Sequence, residues 1–107
     1  MNKYNAKKTI VDSITFDSKK EADRYCELKL LQRAGAITDL KLQVPFELQP
    51  AFTLNGKKIR AIYYIADFMY QEGGAYIVED VKGRKTKEYM LKRKMYAYRY
   101  GQEIKEV

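Results

Sequence analysis

The sequence predicts one α+β domain whose elements run helix, three strands, helix, strand. Three observations carry that prediction: capping residues that open two helical stretches, one long apolar–polar alternation, and two turns of hairpin chemistry. The chain has 107 residues, 46% hydrophobic and 33% charged, which suits a single core of modest size. No apolar run approaches the roughly 20 residues of a membrane span, and no secretory leader is recognisable. No membrane partner is therefore expected.

Residues 1–8 are polar and basic and read as a loose tail, leaving 9–107 as the folded domain. Thr9 to Phe16 is rich in β-formers around Asp12-Ser13, the pattern of a short hairpin. Ser18-Lys19-Lys20-Glu21 is a capping box: Ser18 caps a helix that continues through Arg33 and stops at Ala34-Gly35. Glu21, Tyr25, Leu28 and Gln32 share the face expected to look toward the sheet.

From Ile37 to Leu48, Leu40, Leu42, Val44, Phe46 and Leu48 alternate with Asp39, Lys41, Gln43, Pro45 and Glu47. That is a strand with one buried face, and Pro45 marks an edge or a bulge. Gln43 falls on the polar face. Asn55-Gly56 is a hairpin turn, and Gln71 to Gly74 supplies a second loop, so strands near 37–49, 58–70 and 75–82 form a meander. Thr86 caps a second helix from Lys87 to about Tyr100, with Leu91, Met95 and Tyr98 as its expected core stripe. Tyr89, Lys92, Tyr96 and Arg99 follow on a neighbouring face. Gly101 ends the helix, and 103–107 reads as a short final strand.

The formal net charge is +7, and Lys82 to Arg99 holds eight basic residues against the single acid Glu88. That stripe alone equals the whole excess and is the footprint of a polyanion partner, DNA above all; its structural alternative is a solvated helix. The sequence has no histidine, which removes serine triads, His–Cys dyads and imidazole zinc sites. The lone Cys26 forms no internal disulfide and agrees with a reducing cytoplasm.

Asp67, Asp80 and Lys82 interrupt otherwise apolar strands, where isolated charges are costly unless paired or bound to a metal. Asp80 and Lys82, two apart, point to one face, and Glu79 to the other. The structural alternative is an Asp–Lys ion pair closing the sheet edge. Glu21 has two candidate roles, capping its own helix or leaning toward these acids.

These residues resemble the PD-(D/E)XK nuclease superfamily. Ala66-Asp67 stands where that family has Pro-Asp on the second core strand, and Asp80-Val81-Lys82 matches its (Asp/Glu)-X-Lys on the third. Glu21 resembles the acid many members carry on the first helix, and Lys92 the extra Lys or Gln of several branches. The stretch Phe16 to Ala22, with Val78 to Gly83 and then Thr86, Tyr89 and Lys92, is similar to small phage and prophage proteins assigned to the superfamily. Ala66 departs from the pattern at a residue that shapes a turn and does not contact metal.

The resemblance implies a restriction-endonuclease-like core with a mixed sheet, and hydrolysis of DNA phosphodiesters in a bacterial host. Asp67, Asp80, Glu21 and the Val81 carbonyl would hold Mg²⁺ or Mn²⁺, hard ions that favour oxygen ligands. Lys82 would orient the attacking water or stabilise the phosphate, with no histidine base needed. Arg84, Lys85, Lys87, Lys92 and Arg93 would contact flanking phosphates without reading sequence, so structure-selective or weakly specific cutting is expected. Junction resolution would further require a homodimer. The competing readings are a non-catalytic nucleic-acid-binding module on the same fold and a phage protein-interaction factor.

Overall fold

Apolar alternation and capping chemistry translate directly into the architecture of the computed structural model, which describes residues 8–107. The expected tail lies outside the described residues apart from Lys8. A first hairpin, β1 (Thr9–Val11) and β2 (Ile14–Phe16), turns at Asp12 and Ser13, whose φ angles of 52° and 64° are left-handed. Helix α1 (Lys19–Arg33) begins at Ser18, whose side chain accepts a hydrogen bond from the Glu21 amide. It buries Ala22, Tyr25 and Leu28.

Strand β3 (Thr38–Gln49) is followed by a small hairpin, β4 (Phe52–Leu54) and β5 (Lys57–Ile59), around the left-handed pair Asn55-Gly56. The strand expected over 58–70 is thus divided: β6 (Ile62–Glu72) starts only after a break at Arg60-Ala61. Gly73-Gly74, at φ 59° and 83°, closes a tight turn into β7 (Ala75–Asp80), which ends two residues earlier than expected. Helix α2 (Lys87–Tyr100) starts at Thr86, which caps the Tyr89 amide, and stops at Gly101. β8 (Lys105–Glu106) completes the chain's elements.

The main sheet has the order β3-β6-β7-β8, with β3, β6 and β7 antiparallel and β8 parallel to β7. The fold is therefore mixed α/β with a mixed sheet, as expected. β3 lies at an edge, where Pro45 costs the ladder least.

Two cores flank this sheet. Phe16, Tyr25, Leu28, Phe68 and Tyr70 pack around α1; Leu48, Tyr64, Ala66, Val78, Tyr89 and Tyr96 pack around α2. The β3–β6 ribbon passes from one core to the other. Leu40 and Leu42 pack on the first, whereas Phe46 and Leu48 belong with the second. The change falls at Gln43, whose φ is 52°, opposite Asp67 in the gap between the pairs Leu42–Phe68 and Val44–Ala66.

The expected core stripe of α2 holds at Met95, which packs against the second core, and is corrected at its other two positions. Leu91 is 58% exposed and Tyr98 is 93% exposed, while Tyr89 and Tyr96 from the neighbouring face are buried. Their rings fill the core while their hydroxyls reach Glu106 and Gln102, so tyrosine serves there without stranding a polar atom.

Candidate active site

The second of those cores carries the charged residues expected to act. Phe68 pairs with Glu79 across β6 and β7, so Asp67 and Asp80 are the next cross-strand neighbours and share the opposite face. Asp80 is 4% exposed. One of its oxygens accepts from the Tyr64 hydroxyl at 2.6 Å, and the other lies 3.1 Å from the Lys82 ammonium. That ammonium also sits 3.8 Å above the Tyr89 ring, a cation–π contact fixing its position.

Asp67 accepts from the Val81 amide at 2.8 Å, and its other oxygen is 3.4 Å from the Gln43 amide nitrogen. Burial foremost, then a hydrogen bond shared with Asp80 and the charge of Asp80, push the Asp67 carboxyl up to about 7. Glu21 is also raised, first by burial and then by Asp17 and Asp80, with Lys82 opposing. Two acids thus adjoin each other and a third feels their charge. Of its two expected roles the Glu21 side chain takes the second: the cap bond is the Glu21 backbone amide donating to Ser18, while the carboxyl lies close enough to Asp80 and Lys82 to feel both. The start of α1 is tied to this region by the Lys20 ammonium, which donates to the Lys82 carbonyl at 2.9 Å.

The segment after β7 is held from below. The Lys82 amide donates to the Val107 carbonyl, and the Val107 amide to the Asp80 carbonyl, each at 3.0 Å. Beside it, Glu106 accepts from the Tyr89 hydroxyl at 2.7 Å and pairs with Arg93 at 2.8 Å and Lys85 at 3.0 Å. The Tyr89 hydrogen bond, aided by those cations, holds the Glu106 carboxyl down to about 2.

Not all expected phosphate contacts stand open. Lys85 and Arg93 are engaged by Glu106, and Lys92 contacts Glu88 at 3.7 Å rather than the paired acids. Lys87 is exposed at the first turn of α2, and Arg84, exposed on the loop, has an interaction of its own. Glu79 faces the α1 core, as its parity requires. It is fully buried, and the Arg24 guanidinium grips it with bonds of 2.8 and 2.7 Å, joined by the Tyr70 hydroxyl.

Tyr64 is the site residue that alternation conceals. Three positions from Asp67, it should face the other side of a regular strand. The passage of the ribbon between cores at Gln43 and Asp67 overrides that parity and brings the hydroxyl to Asp80. Lys20 carried no signal beyond its place in the first helical turn.

A family model described as "Protein of unknown function (DUF1064)" matches residues 1–106. The chain belongs to the DUF1064 family. No curated protein and no solved structure matches it. In this DUF1064 chain the donor set of Asp67 and Asp80 is all oxygen and suits a small hard cation. Among the described residues, however, no group of three or more His, Cys, Asp or Glu side chains is drawn together as a complete ligand cluster. A cation would also favour the ionised form of Asp67, which burial and the adjoining Asp80 disfavour.

The raised Asp67 carboxyl has a testable sign. Its unfolded value is near 3.8 and its folded value about 7, so the metal-free fold loses stability as pH rises through that window. Asp67→Asn keeps an acceptor for the Val81 amide and removes the ionisation. In EDTA, its urea midpoint relative to the parent protein is expected to be higher at pH 8 than at pH 5. An equal difference at the two pH values would exclude the assignment.

Proposed function

We propose that this DUF1064 protein is a Mg²⁺- or Mn²⁺-dependent DNA endonuclease of phage or prophage origin, working in the bacterial cytoplasm. The observation that carries this reading is the meeting of Asp67 and Asp80 on one face, beside the Lys82 ammonium. The Ala66-Asp67 and Asp80-Val81-Lys82 resemblance to PD-(D/E)XK nucleases supports it. Asp67 and Asp80 would hold the ion, with Glu21 and the Val81 carbonyl as further oxygen donors. When bound, the ion supplies neutralising charge at the phosphate and a more acidic water.

The chain's own groups divide the remaining work. Lys82, steadied between Asp80 and the Tyr89 ring, stabilises charge developing on the scissile phosphate or orients the attacking water. Tyr64 keeps its proton, since burial and Asp80 drive its ionisation far upward, and it fixes the rotamer of Asp80 as a donor. Arg84 and Lys87 meet flanking phosphates without sequence readout.

A second reading is favoured by two observations: Lys82 already pairs with Asp80, and among the described residues no third acid completes a ligand cluster. On that reading the chain is a nucleic-acid-binding module. Plasmid nicking separates the two. Supercoiled DNA is expected to be nicked in Mn²⁺ or Mg²⁺ and left intact when EDTA is added. Binding to supercoiled, linear and branched DNA without cleavage in either metal would exclude the nuclease.

A further inference from the structure

The hairpin of β4 and β5 stands apart from both cores. Apart from their mutual pairing, β4 and β5 make no extensive contact with any other helix or strand among the described residues. Phe52 and Leu54 are 43% and 56% exposed. A lone two-stranded hairpin is marginal in water, and apolar side chains gathered on one of its faces form a surface that a partner can cover.

The charge of the arm selects that partner. Between Glu47 and Asp67 there is no acid, while Lys57, Lys58 and Arg60 are all exposed. The pairing Leu54–Lys57 and Phe52–Ile59 puts these four on one face, and Thr53–Lys58 on the other. The result is a ribbon with an apolar rail and cations along its length. A second copy of the chain would bring like charges together, since the net charge is +7. A polyanion would not.

We propose that this arm is a DNA-binding element, reaching along duplex DNA while the paired acids face the backbone. It rests on DNA being the partner, as proposed above, and not on cleavage. Lys57, Lys58 and Arg60 contact phosphates, and Phe52 and Leu54 lie against groove walls. A two-stranded ribbon fits the major groove, whose thymine methyls accept apolar contacts.

The arm also borders the acid-bearing strand. At its base, Ala61, Ile62 and Tyr63 form a groove of about 390 Å³ with Glu88, Leu91, Lys92 and Met95 of α2. Lys92, which contacts Glu88 and not the acids, thereby gains a place on the same track.

The test is fluorescence anisotropy of the full chain with a labelled random-sequence duplex in EDTA, repeated across salt concentrations. The triple variant Lys57→Ala/Lys58→Ala/Arg60→Ala is expected to bind at least about 10-fold more weakly, with a salt slope lower by about 2–3. A charge-matched control, Lys19→Ala/Lys29→Ala/Arg33→Ala on α1, should keep the parent slope. Thermal melts should be unchanged, since the arm braces neither core.

Single-turnover cleavage by saturating protein in Mn²⁺ is read in parallel. Unaltered affinity and slope in the triple variant overturn the arm's role while leaving any cleavage intact. Absence of salt-sensitive binding by the parent protein, as for an arm that docks on protein, also overturns it. Binding that depends on the arm in a protein that never cleaves sustains the proposal and removes the nuclease reading instead.

Discussion

Asp80→Asn is expected to lower the single-turnover cleavage rate in Mn²⁺ by about 10³-fold, the scale of losing one group that stabilises transition-state charge. The substitution preserves volume at a position 4% exposed, and its amide oxygen still accepts from the Tyr64 hydroxyl. What disappears is the negative charge that would hold the ion and that anchors Lys82 at 3.1 Å. Two stability effects then oppose each other. Asp67 is relieved of a like-charged neighbour, and Lys82 loses its partner but keeps the Tyr89 ring. The melting temperature should therefore move little, which separates a chemical defect from unfolding. Retention of more than a tenth of the parent rate would remove Asp80 from the chemistry.

Arg24→Ala is expected to give the largest loss of stability, about 3–5 kcal/mol, because it leaves Glu79 as an uncompensated buried charge. Glu79 is fully buried, the Arg24 side chain is 18% exposed, and two short hydrogen bonds join them. The Arg24 pair and the Tyr70 hydroxyl lower the Glu79 carboxyl against the opposing effect of burial. Lys105, 3.9 Å away, is too distant and too exposed to replace the guanidinium. Urea denaturation should show a lower midpoint with an unchanged slope. A change under about 1 kcal/mol would mean that Glu79 takes up a proton or water at little cost. Replacing both partners by apolar residues should recover much of the loss, as happens when buried ion pairs are removed whole.

These two acids, neighbours in sequence, show what was legible and what was not. Strand parity was enough to send Asp80 and Glu79 to opposite faces and to group Asp80 with Lys82. Capping chemistry was enough to start both helices at Ser18 and Thr86, because a side-chain oxygen that satisfies an end amide is a local event. Arg24 as the partner of Glu79 was not legible, since they lie 55 residues apart and only the packing of α1 joins them.

The inner face of α2 was misjudged for a different reason. Leu91 looks more apolar than Tyr89 and Tyr96, yet it faces outward while Met95 packs beside the second core. The tyrosines go inside because carboxylate and amide acceptors wait at Glu106 and Gln102. Hydropathy alone does not contain those acceptors. The division of the expected strand at Arg60-Ala61 was hidden likewise, because β-forming residues continue on both sides of the break.

One consequence follows from the irregular outer strand β3. Joining sheets side by side requires a flat margin with evenly spaced donors and acceptors. Here Pro45 has no amide to offer, Gln43 turns left-handed, and the pairing slips at both Thr38/Lys41 and Glu47/Gln49. The same kink that aims Gln43 at Asp67 therefore leaves this border a poor template for a further strand.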